Sequence, residues 1–177
     1  AERVTQALQR FPRPSAVQVI FTAHSLPQRI LAAGDPYPDE LRAGAAVVAR
    51  RLGLTDWRLA YQSAGATADP WLGPDVAAVI RNLAEGGEAG ACICPVGFVA
   101  DHVEVLYDLD IALAEKARGW RFPIARAPAL NARPAFIAAL AHLEFDDAGL
   151  ERMADGMTSI LSYIDQLREV DVDSLAA

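Results

Sequence analysis

Short runs of β-branched and apolar residues recur along this chain, each separated from the next by a segment of helical length. Such runs are typical of strands that are buried on both faces of a sheet. Strands that alternate with helices of about a dozen residues form βαβ units, which predict a parallel sheet. The predicted strands are residues 17–23 (VQVIFTA), 57–62, 90–96 (GACICPV) and 122–126.

The segments between these strands carry apolar residues at helical spacing. Residues 39–52 are one example, with Leu41, Ala45, Val48 and Leu52 on a common face. Further helices are predicted for residues 75–85, with Asp75 as its capping residue, for 101–117, after Pro134, and for 148–167. We therefore expect an α/β fold, a three-layer αβα arrangement with a four-stranded parallel sheet, followed by a C-terminal helix.

Composition excludes several classes of function. Hydrophobic residues make up 53% of the 177 residues, which is enough for a sizeable core. The net charge of -7 disfavours a nucleic-acid partner, because phosphate contacts need clustered Lys and Arg. No apolar run approaches the roughly 20 residues of a membrane span. We expect neither a nucleic-acid partner nor a transmembrane segment.

The chain has two cysteines, Cys92 and Cys94, with one residue between them. They are too close together to clamp the fold as a disulfide and too few for a four-cysteine cluster. We therefore expect no iron–sulfur cluster. A reducing cytoplasm is the simplest location, and peripheral association with a membrane is left open.

Polar residues follow three of the predicted strands. His24 follows the first strand, Gln62 and Ser63 end the second, and residues 101–104 follow the third. In open parallel sheets, ligands bind outside the carboxyl ends of the strands. The sequence therefore predicts a site at this edge of the sheet.

Two of these segments contain groups that handle protons and metals. A neutral imidazole such as that of His24 accepts a proton near pH 7 or binds a transition metal, although it can also serve only as a hydrogen-bonding loop residue. Asp101, Glu104 and Asp108 stand about one turn apart if their segment is an α-helix. A solvated acidic face is the alternative interpretation of such a row. Its place at a helix start on the ligand edge favours a functional role.

The loop after the second strand contains Trp71. Its ring can stack on a flat aromatic ligand. A loop anchor packed on the protein is the interpretation that the position alone favours.

Taken together, these stretches resemble the ferrochelatase family over roughly residues 1–143. The motifs occur in family order and at family spacing, and the ordered set is more specific than any single motif. They are FTAHSLP followed by GDPYP, QSAG and PWLGPD in one loop, P-x-x-F-x-x-DH-x-E-x-LY-x-LD, and ALN-x-x-P.

The resemblance implies insertion of Fe2+ into a porphyrin, either protoporphyrin IX or coproporphyrin III. It implies that His24 and Glu104 are catalytic and bind the metal, with Asp108 as a further metal ligand. Ala112 stands where many members have the next acid, so the acidic row is shorter here. The substrate-binding residues implied are Ser25, Ser63, Trp71, His102 and Tyr107.

Members of this family have two similar lobes with the porphyrin between them, and this chain resembles only the second. The expected division is the end of an inter-lobe helix (1–14), the C-terminal lobe (15–145), and an amphipathic C-terminal helix and tail (146–177). The apolar stripe of the last segment is usually that of a helix packed on the core. The segment also resembles the small C subunit of glutamyl-tRNA amidotransferase, which implies a partner-binding helix. The expected partners of the chain are a porphyrin and either the missing lobe or a second copy of this chain.

Three alternatives remain open from the sequence. The chain can be a porphyrin- or metal-binding module without turnover. It can be a small chelatase that self-associates to rebuild a two-lobed cleft, or an interaction protein led by its C-terminal helix. The sequence does not select the porphyrin or the oligomeric state.

Overall fold

The computed structural model describes residues 1–141 and contains a four-stranded sheet in which every pair of neighbouring strands is parallel. The order across the sheet is β2–β1–β3–β4. The four strands are β1 (Gln18–His24), β2 (Arg58–Gln62), β3 (Ala91–Cys94) and β4 (Ile124–Arg126). The predicted parallel sheet and its strands are confirmed.

Helices fill the connections between the strands, as the βαβ pattern requires. The α-helices are α1 (Glu2–Leu8), α2 (Arg29–Ala32), α3 (Tyr37–Leu52), α4 (Val76–Glu85), α5 (Val103–Val105), α6 (Ala114–Gly119) and α7 (Pro134–Ala141). A short 3-10 helix covers Pro14–Ala16, and a π-helix, Leu106–Leu113, joins α5 to α6.

The helix predicted for residues 101–117 is present but is not a uniform α-helix. It begins at Val103, and its centre, Leu106–Leu113, is a π-helix. A π-helix closes its hydrogen bonds five residues apart and is therefore wider than an α-helix. The regular α-helical spacing expected between Glu104 and Asp108 is wrong, because the step between them crosses into this wider segment. The short helix α2 was not predicted.

Alternate residues of β1 point to opposite faces of the sheet, and each face is covered by helices. Phe21 packs in one cluster with residues of α1 and α3, such as Val4 and Ala45. Ile20 packs in the other cluster with residues of α4 and of the π-helix, such as Ile80 and Leu109. The three-layer αβα arrangement is therefore confirmed.

Local chemistry explains where two of the helices begin and end. Asp75 caps α4, since its Oδ1 accepts a hydrogen bond from the backbone N–H of Ala78 at 3.0 Å. Helix α3 ends at Gly53, which has φ +67°, a left-handed conformation that favours glycine. The capping role predicted for Asp75 is confirmed.

The described part of the chain divides into a compact unit, Ala1–Arg133, and a second unit that begins at Pro134. Helix α7 belongs to the second unit. The helix predicted for residues 148–167 lies outside the described residues. Within residues 1–141, no helix is both long enough and apolar enough to cross a membrane.

Gly97 gives a test of how closely the loop after β3 packs on β1. A Cβ atom at Gly97 would lie 2.6 Å from the Cβ and 2.9 Å from the Cα of Ala23, the residue before His24. Because backbone must shift to relieve this contact, we expect Gly97→Ala to lower the free energy of unfolding by about 1–3 kcal/mol. Urea unfolding of the purified chain measures this change.

Gly44 is a matched control in the middle of α3. It is exposed, and a Cβ atom there meets nothing within 4 Å. Gly44→Ala should therefore raise the free energy of unfolding, by about 0.5–1 kcal/mol. Equal effects of the two substitutions would contradict the close approach of the loop to β1.

Candidate active site

The carboxyl ends of β1 and β2 and the start of α5 meet at one edge of the sheet. His24 ends β1 and is paired in register with Gln62, which ends β2. The His24 Nε2 atom lies 3.3 Å from Oε1 of Glu104 in α5, a residue 80 positions away in the sequence. The structure therefore brings together the two residues expected to be catalytic.

Backbone contacts fix the His24 imidazole. Its Nδ1 donates a hydrogen bond to the carbonyl oxygen of Ser25, and its own carbonyl oxygen accepts one from the Tyr37 hydroxyl at 2.8 Å. A carbonyl oxygen only accepts, so Nδ1 carries the proton in the neutral ring. The Nε2 lone pair then points toward Glu104.

With the imidazole in its neutral form, both facing groups are electron-pair donors, and together they can bind a proton or a cation. Ligands bound ~2.1 Å from a first-row divalent ion lie roughly 3.0–3.4 Å apart at tetrahedral or octahedral angles. The observed separation of 3.3 Å matches that spacing. The His24 and Glu104 side chains are 33% and 41% exposed, so a ligand can reach both.

Asp108 follows Glu104 by four residues, within the π-helix, and is tied to the end of β2. Its Oδ2 accepts a hydrogen bond from the Ser63 hydroxyl. Together with Gln62 and Lys116, these residues line a polar cavity of about 250 Å³. The expected meeting of the second and third segments is thus present, with Ser63 and Asp108 as its contact.

The Ser25 side chain is buried and hydrogen-bonded to a neighbouring loop, so it is not open to a ligand. It is 1% exposed, and its hydroxyl donates to the carbonyl oxygen of Leu72 at 2.8 Å. Its backbone N–H donates to the carbonyl oxygen of Gln62 at 2.7 Å. These bonds hold the loop after β1 against the end of β2.

Trp71 packs within its own loop. Its indole Nε1 donates to the Thr67 hydroxyl at 3.0 Å, and its ring lies so close to Gly65 that a Cβ there would be 2.5 Å from the ring. The side chain is only partly exposed. These contacts agree with the loop-anchor interpretation of Trp71.

His102 and Tyr107 flank Glu104 on the helical segment. The His102 ring is exposed and lies 5.2 Å from the ring of Phe98, centroid to centroid. Tyr107 is 58% exposed, and so are the apolar side chains of Val103 (80%) and Ile111 (55%) near it. This part of the edge presents a mixed aromatic and aliphatic surface to solvent.

Three features of polar side chains at the site were not anticipated from the sequence: the contacts of Tyr37 and of Arg126, and the complete burial of the expected Gln62. Tyr37 holds the carbonyl oxygen of His24, and burial, followed by the neighbouring Tyr61, raises the pKa of Tyr37. Gln62 is 2% exposed, and its amide atoms have no partner in the described structure. Arg126 is a charged residue at the end of an apolar strand, and that placement was the available signal for it.

Arg126 connects β4 to two acidic residues on either side of Glu104. Its Nη1 donates to Asp101 Oδ1 at 2.6 Å, while its Nε and Nη2 donate to the two carboxylate oxygens of Asp110, each at 2.7 Å. Asp101 also accepts hydrogen bonds from Asn131 and from the backbone N–H of Ala129.

These contacts shift the acidity of Asp101. Burial by itself raises the pKa of Asp101, but the hydrogen bonds from Asn131, Ala129 and Arg126 outweigh burial and hold that pKa below its ordinary value of 3.8. The hydrogen bonds that Arg126 donates to Asp110 raise the pKa of Arg126, which keeps the guanidinium charged. Asp101 and Arg126 are therefore both charged at neutral pH.

The two cysteines are not exposed metal ligands. Burial, reinforced by the neighbouring Cys94, raises the pKa of Cys92 to about 12, and burial raises the pKa of Cys94 to about 11. Both thiols are neutral near pH 7. Among the residues that the structure describes, no group of three or more His, Cys, Asp or Glu side chains is arranged to hold a metal ion.

The fold and this site define an α/β lobe that carries a histidine–glutamate pair at the carboxyl edge of a parallel sheet. A family model, described as ferrochelatase, matches residues 1–146 of the chain. This match covers most of the sequence. The chain belongs to the ferrochelatase family.

Curated relatives agree with the family match. The chain is 49% identical to a ferrochelatase of Herpetosiphon aurantiacus over 139 residues, which is 77% of this chain and 46% of the relative. It is 47% identical to a ferrochelatase of Deinococcus radiodurans, covering 80% of this chain and 46% of the relative. It is 41% identical to a coproporphyrin III ferrochelatase of Halalkalibacterium halodurans, covering 79% of this chain and 46% of the relative. The chain spans about half the length of these relatives.

The lowered pKa of Asp101 predicts how the free energy of unfolding depends on pH. Because the folded-state pKa lies below the unfolded value of about 3.9, its contribution is present above that value and is lost as pH falls through the folded-state pKa. We expect the free energy of unfolding to fall on acidification below about pH 4. Urea unfolding at a series of pH values measures it.

Asp101→Asn removes the titrating group and supplies the comparison. The variant should be less stable than the wild type at pH 7, and the difference should shrink below about pH 4. A difference that stays constant from pH 7 down to pH 3 would show that Asp101 contributes no pH-dependent stability.

Proposed function

We propose that this chain is the metal-handling half of a ferrochelatase and that it acts in the insertion of Fe2+ into a porphyrin. The observation that carries the proposal is the facing of His24 Nε2 and Glu104 Oε1 at 3.3 Å on the open edge of the sheet. Family membership and the half-length coverage of the relatives support it.

The reaction needs a base and a temporary ligand at one place. A free-base porphyrin loses two pyrrole N–H protons as its four nitrogens take up the divalent ion. His24 Nε2 has the free lone pair that accepts a proton, and the Glu104 carboxylate can accept the second. The same two atoms can bind Fe2+ before the porphyrin nitrogens replace them. Two protein ligands suit an ion in transit, because a resident site normally has more.

Asp108 is proposed to draw the ion toward the pair. It lies in the same helical segment as Glu104 and lines the polar cavity beside it. Its carboxylate accepts from Ser63 and has a further oxygen for a cation. The row is short, since the next position on this side is Ala112 and Lys116 lies beyond it.

The porphyrin is proposed to lie over the exposed side chains near the pair. Tyr107 and His102 offer aromatic surface, and the exposed Val103 adds apolar area. Trp71, Ser25 and Ser63 support this surface through the loops that they hold. Relatives named as coproporphyrin III ferrochelatases make coproporphyrin III a substrate to test beside protoporphyrin IX.

The proposed partner is the lobe that corresponds to the other half of the relatives. Coverage of 46% of each relative leaves a comparable length outside this chain. In this arrangement residues 1–14 end the inter-lobe helix, residues 15–145 form the second lobe, and residues 146–177 form the C-terminal segment. A second copy of the chain is the alternative partner. The proposed setting is the cytoplasm, and peripheral association with a membrane is left open.

A second candidate function is binding of a porphyrin or metal without turnover. The half-length coverage and the two-ligand site favour it, since both are compatible with a lobe that lacks an enclosing partner. Anaerobic insertion of Fe2+, followed by loss of porphyrin fluorescence, separates the two functions. The chain is assayed with each porphyrin, alone and with a ferrochelatase first lobe added in trans.

Insertion by the chain alone would indicate a self-sufficient, self-associating chelatase. Insertion only with the added lobe would indicate a competent half. Porphyrin binding without insertion in either mixture would contradict the proposed function and support the binding module.

Variants of the pair test the assignment of its residues. In the active mixture, His24→Ala and Glu104→Gln each remove one proton acceptor and one ion ligand. We expect the insertion rate to fall by at least ~100-fold in each case, the scale of general-base catalysis. Initial rates at saturating porphyrin and Fe2+ measure the loss.

Glu115→Gln is the matched control for these variants. Glu115 is exposed in α6, on the same helical segment but beyond the site. The same charge is removed there, so the rate should stay within about twofold of the wild type. Wild-type rates in both pair variants would overturn the roles of His24 and Glu104.

A further inference from the structure

One guanidinium holds both sides of the segment that carries Glu104. Arg126 contacts Asp101, three residues before Glu104, and Asp110, six residues after it. Its side chain is 12% exposed, so the contacts are shielded from water on most sides. The carboxylates that it binds are 18% exposed for Asp101 and 40% exposed for Asp110.

The geometry of the contacts requires an arginine. Three of its nitrogens, Nε, Nη1 and Nη2, are used at the same time, and the pairing with Asp110 is bidentate. A planar guanidinium presents its donors in fixed directions, whereas an ammonium is a single point of charge. A lysine at this position would keep the charge but could not hold both carboxylates in these directions.

Arg126 and Ser63 hold opposite sides of the helical segment. Asp110 lies within the π-helix Leu106–Leu113, and two residues along such a helix turn its side chain roughly away from that of Asp108. Arg126 therefore holds the side of the helix that faces β4, leaving Asp108 directed to Ser63. Asp101 is held as well by Asn131 and Ala129 in the loop after β4.

We propose that Arg126 is a positioning residue that sets the distance between Glu104 and His24 by clamping Asp101 and Asp110 to β4. His24 is fixed independently at the end of β1. The distance between His24 and Glu104 therefore depends on where the helical segment is held. Arg126 contacts that segment both before and after Glu104. The inference rests on the proposed function for its catalytic consequence, while the clamp itself can be measured without turnover.

Arg126→Lys tests the clamp with the charge retained. In the insertion assay, kcat should fall by roughly 10- to 100-fold, because misplacement of a reacting group by about 1 Å costs up to ~100-fold. The KM for porphyrin should change by less than about threefold, since Arg126 lies behind the helix and not on the proposed porphyrin surface. A merely structural role would reduce the amount of folded protein and leave the kcat of that fraction unchanged.

Hydrogen exchange gives a readout that needs no activity. In Arg126→Lys, the amides of residues 103–113 should exchange at least about tenfold faster than in the wild type, while those of β1 and β2 keep their rates. If the wild-type assembly inserts no iron, the proposed function fails, but this measurement still tests the clamp. Uniformly faster exchange in all strands would overturn local positioning.

Asp110→Asn is the milder companion variant. It weakens the bidentate contact but leaves the Arg126–Asp101 contact in place, so the chain should fold and show a smaller loss of kcat in the same direction. The losses in Arg126→Lys and Asp110→Asn should not add in the double variant, because both act through one contact. Full additivity would contradict the clamp.

Arg81→Lys is the matched control. Arg81 pairs with Glu85 at 2.8 Å on the exposed face of α4, so it makes an arginine–carboxylate contact away from the site. Its replacement should leave kcat, KM and the exchange of residues 103–113 unchanged. Wild-type kcat and wild-type exchange in Arg126→Lys would overturn the proposal.

Discussion

The parallel pairing of β1 with both of its neighbours is the constraint on which the rest of the molecule depends. β1 lies between β2 and β3, and its residues Ile20, Phe21 and Ala23 are fully buried. Burial on two faces requires helices on both sides, and parallel strands require crossovers that return each chain segment to the same end. The carboxyl ends therefore gather at one edge, where His24 and Gln62 lie side by side.

The helical segment after β3 brings the other half of the site to this edge. Val105, Leu109 and Leu113 pack on the sheet, so the apolar side of the segment is committed to the core. As a result, Glu104 lies beside His24, and Asp110 faces β4, where it contacts Arg126. The site thus combines a histidine held by backbone groups with a carboxylate held through the packing and ion pairs of a whole helix.

The fold was largely predictable from the sequence, and the contacts within the site were only partly so. Runs such as VQVIFTA and GACICPV mark buried strands by local composition, and strand ends locate the site. The π-helix was not predictable, because the spacing of Val105, Leu109 and Leu113 also fits an α-helix. The engagement of Ser25 with Leu72, and of Arg126 with Asp101, depends on partners 47 and 25 residues away, which no local pattern specifies.

The edges of the sheet determine how the lobe can associate with other chains. β4 has only three residues, and it ends in Arg126, whose side chain forms ion pairs with Asp101 and Asp110. The β2 edge begins with the exposed Arg58, and the N–H of Tyr61 near its other end already donates to the carbonyl oxygen of Pro74. Short, charged and covered edges disfavour strand addition and edge-to-edge aggregation. The partner proposed above would therefore dock through side chains and loops, without extending the sheet.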